Sequence, residues 1–279
     1  MNEFVVGIDG SDHSRMALRW AAAAAGAAGV PVRAVQSWIH SRAAVLPVAP
    51  VPLAADESDE QTRRALTDMV ADTLGSSAEV KIDVVRGSPA AALLHTVTPD
   101  SVLVLGSRGL GGFRGLLLGS VSQECVEYAS CPVVVVRTER TLGDGDVILV
   151  GKDGSEGAER ALAWAHGLAT ASGADLRAVH AWRAVEAERP PRTGERLRAR
   201  AADAVEGWTQ QVSDEIESEE MEGDPRDVLV TAAQRSAAAL SVVGRRGAGG
   251  LRSMRLGSTA NHLIRHSSTN VAVVPAPDE

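Results

Sequence analysis

The sequence of 279 residues carries the same set of motifs twice, in the same order. Three segments recur: VGIDGS at 6–11 as VGKDGS at 150–155, RAVQSW at 33–38 as RAVHAW at 177–182, and GSRGLGGFRGLLLGS at 106–120 as GRRGAGGLRSMRLGS at 244–258. The first two pairs are offset by 144 residues and the third by 138. A unit of this length is a normal domain size. The repeat predicts a tandem duplication, with one domain at 1–138, a polar joint, and a second domain at 146–279.

Each repeat alternates β-rich runs with helical patterns. The five runs of the first repeat are FVVGI at 4–8, VRAVQSW at 32–38, VKIDVV at 80–85, VLVLG at 102–106 and PVVVV at 132–136. Continuous apolar runs indicate strands covered on both faces, and the alternating third run is typical of a half-exposed edge. Alternation with short connections predicts a parallel sheet with helices on both faces. We therefore expect an α/β protein of two tandem doubly wound domains, each with a five-stranded parallel sheet.

The third strand of the second repeat is unusual, because its sequence at 216–222, IESEEME, is strongly acidic. An edge strand can carry such charge as protection against pairing. Trp20 and Trp164 occupy matching helix positions, which favours core packing. Cys125 and Cys131 have neither a CxxC partner nor a metal-ligand spacing, so we expect two reduced thiols in or near the core.

Charge and hydropathy exclude several classes of partner. A net charge of −8 argues against a nucleic-acid binder, which is usually basic. The opening sequence MNEFVVGIDGSD has no basic region and reaches Asp9 too early for a signal peptide. The Ala-rich stretch around Arg19 is too short to span a bilayer. We expect a cytoplasmic protein with neither a nucleic acid nor a membrane as partner.

The recurring glycine segment, G-x2-G-x9-G-S, joins the end of one strand to the start of a helix. In an open α/β sheet this places it at the carboxyl edge, where ligands bind. The N-terminus of a helix presents unpaired N–H groups and a positive dipole to a phosphate, and glycines allow close approach of the backbone. Ser120 and Ser258 add hydroxyl donors. The loop arginines Arg108, Arg114, Arg246 and Arg252 add positive charge.

Asp9 and Asp153 close the first strand of each repeat and face the same edge. A carboxylate there can accept from ribose hydroxyls or hold Mg²⁺. It can equally serve as a turn or cap residue, and a duplication would copy that role too. The two readings stay open at this point.

The glycine spacing, the aspartate that ends strand one and the SCPVVVV strand at 130–136 resemble the universal stress protein family over nearly the whole chain, as two consecutive copies. The resemblance implies a sheet order of 3-2-1-4-5 and binding of ATP, alone or with Mg²⁺, since members with this spacing bind adenine nucleotides. It assigns Asp9 and Asp153 to ribose, and the backbone at Ser37 and Ala181 to adenine. The remaining implied contacts are Gly106, Gly109, Gly244 and Gly247 for ribose and phosphate, and Gly119, Ser120, Val121, Gly257, Ser258 and Thr259 for phosphate.

Two departures distinguish the second repeat. Asn270 stands where the first repeat has Pro132, and Thr259-Ala260 replaces Val121-Ser122. Neither affects the glycines, so we expect both sites to be intact.

Other ligand motifs fit the sequence less well. A P-loop requires a lysine that this segment lacks, and DGSDHS at 9–14 lacks the double glycine of the ATP pyrophosphatase loop. His262 and His266 have the i,i+4 spacing of metal ligands without a third ligand, which favours solvated or capping histidines. We predict no catalytic residues and no metal ligands.

Three functions follow in order of preference. The first is a nucleotide-dependent regulator in the stress response, with at most a weak ATPase activity. The second is a slow ATP hydrolase or a nucleotidyl-transfer enzyme, which steady turnover would reveal. The third is a partner-binding protein without nucleotide. Sheet order leaves the apolar fifth strand at an edge, so the two repeats should pair there as an internal pseudo-dimer. A homodimer and an unidentified protein partner stay open.

Overall fold

The structure, a computed structural model, describes residues 1–38, 55–110, 117–183, 207, 216–249 and 254–276. Its first half contains β1 Glu3–Gly7, α1 Asp12–Ala28, β2 Val32–Trp38, α2 Ala55–Leu74, β3 Val80–Arg86, α3 Pro89–Thr96, β4 Ser101–Gly106, α4 Ser120–Tyr128 and β5 Val133–Val136. Its second half contains β6 Val147–Lys152, α5 Glu156–Ser172, β7 Asp175–Trp182, β8 Glu217–Glu222, α6 Pro225–Arg235, β9 Leu240–Gly244, α7 Ser258–His266 and β10 Asn270–Val274.

The strands form one continuous ten-stranded sheet of order β3-β2-β1-β4-β5-β10-β9-β6-β7-β8. Each half is parallel and has the expected order 3-2-1-4-5. The fifth strands pair antiparallel, with Val134 opposite Ala272. The doubly wound α/β fold predicted from the sequence is therefore confirmed. The sheets of the two halves are joined into one.

Helices cover both faces of the sheet and divide the core into two layers. On one face α1, α2 and α5 pack over residues such as Phe4 and Ile148. Trp20 is 1% exposed, and its ring meets Phe4 edge-on at 6.2 Å between centroids. The other face is covered by α3, α4, α6 and α7, with Leu93 and Leu263 in the core. Full burial of each such side chain contributes roughly 1.5–3 kcal/mol.

The two cysteines lie in this second layer as free, buried thiols, as the sequence indicated. Burial raises the pKa of Cys125 to about 12 and that of Cys131 to about 11. Both side chains are therefore uncharged at neutral pH and act as small apolar core residues.

The outer edges of the sheet are β3 and β8. The acidic run does form a strand, and β8 pairs in parallel with β7, placing Met221 beside Ala181. Arg177 forms an ion pair with Glu217 at 2.9 Å. Exposed carboxylates along this strand discourage pairing with another chain.

Asn270 fastens the segment that follows β5. Its side chain is fully buried, and Oδ1 accepts from the backbone N–H groups of Arg137 at 2.8 Å and Thr138 at 3.0 Å. Its Nδ2 donates to the carbonyl of Arg140 at 2.9 Å. The proline at the matching position of the first half could make none of these bonds, so this departure has a structural role.

Arginines reach across the boundary between the halves. Arg137 donates to the carbonyl of Ile264, in the last turn of α7, and Arg245 donates to the carbonyl of Ala129, at the end of α4. Arg255 lies over the ring of Tyr128, 5.0 Å from its centroid. Positive charge at a helix C-terminus complements its dipole, so these contacts hold the halves together.

Among the described helices, none has the length and apolar content needed to cross a bilayer.

Candidate functional site

The carboxylate of Asp9 joins the end of β1 to the glycine loop. Its Oδ1 accepts from the backbone N–H and the hydroxyl of Ser11, at 3.0 and 2.6 Å. Ser11 in turn caps α1 by accepting from the N–H of Ser14 at 3.2 Å. The other oxygen, Oδ2, accepts from the N–H of Leu110 at 2.9 Å. One side chain therefore fixes both the turn after β1 and the start of the loop.

The second half repeats this geometry. Oδ1 of Asp153 accepts from the N–H and hydroxyl of Ser155 at 3.0 and 2.6 Å, and Oδ2 accepts from the N–H of Ala248 at 2.8 Å. Both aspartates thus have a structural role in holding the loop. Their contact with a ribose stays a prediction.

The glycines of the motif lie where a side chain would overlap a neighbour. A Cβ on Gly109 would lie 2.3 Å from Oδ2 of Asp9, and one on Gly247 would lie 2.2 Å from Oδ2 of Asp153. A Cβ on Gly106 would come within 2.7 Å of the backbone of His13. A Cβ on Gly244 would lie 2.7 Å from the backbone carbonyl carbon of Gly157. Glycine is required because the loop passes directly over the end of the first strand and the start of the first helix.

Each loop ends at the N-terminus of a helix. Gly119 is the N-cap of α4 and Gly257 that of α7, and neither helix has a side-chain cap. Their N–H groups donate to the carbonyls of Ser107 and Arg245, both at 2.8 Å. Ser120 and Ser258 follow as the first helical residues and are exposed. The first turns therefore present N–H and hydroxyl donors to the carboxyl edge of the sheet.

In the second half these groups line one cavity of about 390 Å³. All eight predicted residues of this half that the structure describes contribute to its wall: Asp153, Ala181, Gly244, Arg246, Gly247, Gly257, Ser258 and Thr259. The apolar part of the wall, which sequence reasoning missed, comes from Val179, Pro225, Leu229, Val243 and Met254. Strand alternation could have indicated Val179, since it faces the same side as Ala181.

In the first half the structure brings Asp9, Gly106, Gly109 and Gly119 together through the contacts given above. Arg108 lies against Gly119, with its Cα 3.7 Å from the position of an added Cβ. Val121 is half-buried in the first turn of α4. Ser37 is at the carboxyl end of β2, opposite Val85. The loop arginines Arg114 and Arg252 lie outside the described residues.

Sequence reasoning missed two buried cations beside the second site, Lys152 and Arg245, each 3% exposed. Burial lowers the pKa of Lys152, although Glu159 and Asp153 act in the opposite direction. The matching residues of the first half are Ile8 and Ser107. The second site therefore has two buried cationic side chains beside it that the first site lacks.

The histidine pair on α7 stacks its rings at 4.5 Å between centroids. Burial, followed by the charge of His266, lowers the pKa of His262. A search of the described residues finds no group of three or more His, Cys, Asp or Glu side chains that could hold a metal ion.

Comparison with known proteins identifies close relatives over the full length. The Universal stress protein family matches residues 1–137 and 146–275. A universal stress protein of Mycolicibacterium smegmatis is 32% identical over 288 residues, covering 97% of this chain and 96% of the relative. One from Mycobacterium tuberculosis is 33% identical over 284 residues, covering 96% and 95%. The crystal structure of a universal stress protein from Archaeoglobus fulgidus has the same fold, with a TM-score of 0.74 at 22% identity, over 99% of this chain and 98% of that one.

Proposed function

The chain belongs to the universal stress protein family, and from that premise we propose that it binds an adenine nucleotide in each half and acts as a nucleotide-dependent regulator. ATP is the proposed ligand. Its phosphates would lie against the glycine loop and the N-terminus of the following helix, and its adenine against the end of the second strand.

The observation that carries this proposal is the hydrogen bond between the strand-one aspartate and the loop backbone, which is made in both halves. It ties Leu110 and Ala248, at the start of each loop, to the end of the first strand. A Cβ on Gly109 or Gly247 would overlap the aspartate that makes this bond, so glycine is needed there, and a backbone without side chains allows close approach of a phosphate. Backbone groups held in position before binding lose less entropy on binding, which favours affinity.

The cavity in the second half has the size and the polarity that a nucleotide needs. Its volume of about 390 Å³ falls within the range of small-molecule sites, roughly 300–1,000 Å³. Its apolar wall suits a base, and the first turn of α7 suits phosphates. These two surfaces lie in one cavity and fit the two ends of the same ligand.

The same geometry favours a regulator over an efficient hydrolase. Hydrolysis needs a positioned water and a base or metal arranged for in-line attack. Both oxygens of Asp9 and of Asp153 already accept hydrogen bonds from the protein. No Lys, His or Glu recurs at matching positions of the two loops. Mg²⁺, in this proposal, arrives with the phosphates, and bound ATP persists as a signal.

Calorimetric titration of nucleotide-free protein with ATP and Mg²⁺ tests the proposal. We expect a stoichiometry of two per chain. Asp9→Ala and Asp153→Ala should each weaken one of the two sites, because each releases its loop from the sheet. Phosphate release should be far slower than the roughly 10 s⁻¹ of a typical enzyme.

Failure of the stripped wild-type protein to bind ATP would refute the proposal. Turnover at about 1 s⁻¹ or faster, lost in the aspartate variants while ATP still binds, would instead favour the hydrolase. A stoichiometry of one would restrict the proposal to a single half.

A further inference from the structure

Two arginines donate hydrogen bonds to the same carboxylate at the mouth of the cavity in the second half. Asp224 is the N-cap of α6, and Arg226 lies in the first turn of that helix. Arg226 donates from Nε and Nη2 to the two oxygens of Asp224, at 2.9 and 2.7 Å. Arg183, just after β7, donates to the same carboxylate. Two positive charges therefore meet one negative charge.

This cluster lies beside the first turn of α7, where the phosphates of the proposed nucleotide would bind, and beside Ala181 and Pro225 on the side of the base. The three side chains line a shallow depression together with Ala181, Pro225, Ser258 and Thr259. These last four residues also line the main cavity, so the two spaces are continuous. A phosphate chain that begins at the first turn of α7 has the arginine pair within the same opening.

The arginine pair is accessible and held in position. The side chains of Arg183 and Arg226 are 59% and 50% exposed, whereas that of Asp224 is 17% exposed. Asp224 also accepts from the N–H of Arg226 at 2.9 Å, which fixes the carboxylate relative to α6. A guanidinium has five N–H donors, so each group can contact Asp224 and still offer a planar pair to a phosphate.

We propose that Arg183 and Arg226 form a further anion subsite that binds the terminal phosphate of a nucleoside triphosphate in the second site. The inference rests on the proposed function and deepens it. The first half has Ser88 and Ala90 at the positions of Asp224 and Arg226, and Ser88 makes no side-chain cap bond. The second site should therefore discriminate ATP from AMP more strongly than the first site does.

A purely structural role for the cluster makes a different prediction. As a surface ion pair it would join β7 to α6 and contribute little to stability, because exposed pairs are weak. Its removal would then change ATP and AMP binding equally or leave both unchanged. The dependence of affinity on phosphate number therefore separates the two roles.

The test measures ATP and AMP affinities at the second site by calorimetry, in full-length protein whose first site is silenced by Gly109→Val. Into this background we introduce Arg183→Ala, Arg226→Ala and, as matched control, Arg235→Ala. The Arg235→Ala substitution removes the same charge from the far end of α6, where Nη1 of Arg235 lies 3.7 Å from Oε1 of Glu219. Arg226→Lys keeps the charge without the planar fork. The unsilenced protein carries the same substitutions as a check on folding.

Each arginine variant should lose about tenfold or more in ATP affinity and less than about threefold in AMP affinity. Arg235→Ala should resemble the parent, and Arg226→Lys should be intermediate. Equal losses for ATP and AMP, or none, would overturn the subsite while leaving nucleotide binding intact. Binding of inorganic tripolyphosphate beside AMP would show a separate anion and also overturn it. A parent that binds neither nucleotide would refute the proposed function and the subsite together.

Discussion

Ile8, which follows β1, and Lys152, the last residue of β6, hold the same position in the two repeats, and both are buried. Ser107 and Arg245 are a second such pair, one residue into the glycine loop. The backbone around them is the same in both halves, with the same aspartate bond to the loop. The constraint on this fold therefore falls on the glycines and aspartates that set the backbone, while neighbouring side chains can change in charge.

The halves also differ at three positions close to the site, where a serine of the first half is an alanine in the second. Ser14, Ser37 and Ser122 of the first half correspond to Ala158, Ala181 and Ala260 of the second. In the first half the hydroxyls of Ser14 and Ser122 donate to the carbonyls of Ser11 and Gly106, both at 2.8 Å. In the second half the alanines line the cavity. The cavity of the second half is therefore lined by methyl groups at three positions where the first half has hydroxyls.

The largest expected effect comes from a side chain at the loop glycines. Gly109→Val and Gly247→Val should each abolish binding at one site, because the new Cβ overlaps the aspartate that holds the loop. Calorimetry should show the stoichiometry fall from two to one. Gly26→Ala and Gly167→Ala, helical positions with open space around them, serve as controls. Loss of both sites from one substitution would show that the halves do not bind independently.

The next largest effect is the difference in stability loss between substitutions at Asn270 and at Pro132. Asn270→Ala should destabilise the protein by about 3 kcal/mol, because it leaves two N–H groups and a carbonyl at the boundary without their partner. Pro132→Ala should cost about 1 kcal/mol or less. Chemical denaturation of both variants measures the difference. Equal costs would mean that Asn270 does not fasten the segment after β5.

Substitutions at Arg245 and at Ser107 should also differ in the stability that they cost, by a smaller amount. Arg245→Met keeps much of the buried stem but loses the charged hydrogen bond to the end of α4, which should cost about 2 kcal/mol. Ser107→Ala should cost about 1 kcal/mol or less. The same denaturation experiment ranks them, and a near-neutral Arg245→Met would contradict the role given to this contact.

The smallest expected effect is the pH dependence caused by Lys152. Its pKa in the folded protein is lowered by burial, so the unfolded chain binds more protons between that value and the ordinary value of 10.5. The wild type should therefore gain stability relative to Lys152→Met as pH rises through that window. Unfolding free energies at several pH values up to 10 test the sign. A relative loss of stability over the same range would show that attraction to Glu159 and Asp153 outweighs burial.

The sequence predicted what depends on repetition and periodicity. The acidic edge strand β8 and the start of α4 at Ser120 follow from local patterns, and the structure confirms them. The strand order, also confirmed, was implied by the family resemblance and not by local patterns. The roles of Asn270 and Arg245 were not predicted, because each depends on a partner more than 100 residues away. The arginine pair on Asp224 was missed for a similar reason, since β7 and α6 meet only in the folded chain.

The pairing of β5 with β10 lets the boundary between the halves become asymmetric. In a homodimer with two-fold symmetry, every contact appears twice, so a substitution changes both copies at once. Here Arg245 contacts Ala129, while the reciprocal positions are Ser107 and Ser267. One covalent chain also replaces a concentration-dependent encounter with an intramolecular one, at an effective concentration on the order of millimolar for a short link. Each half therefore always contacts a partner with a different sequence. A mutation at this boundary changes one side alone, whereas in a symmetric dimer the same mutation changes both sides.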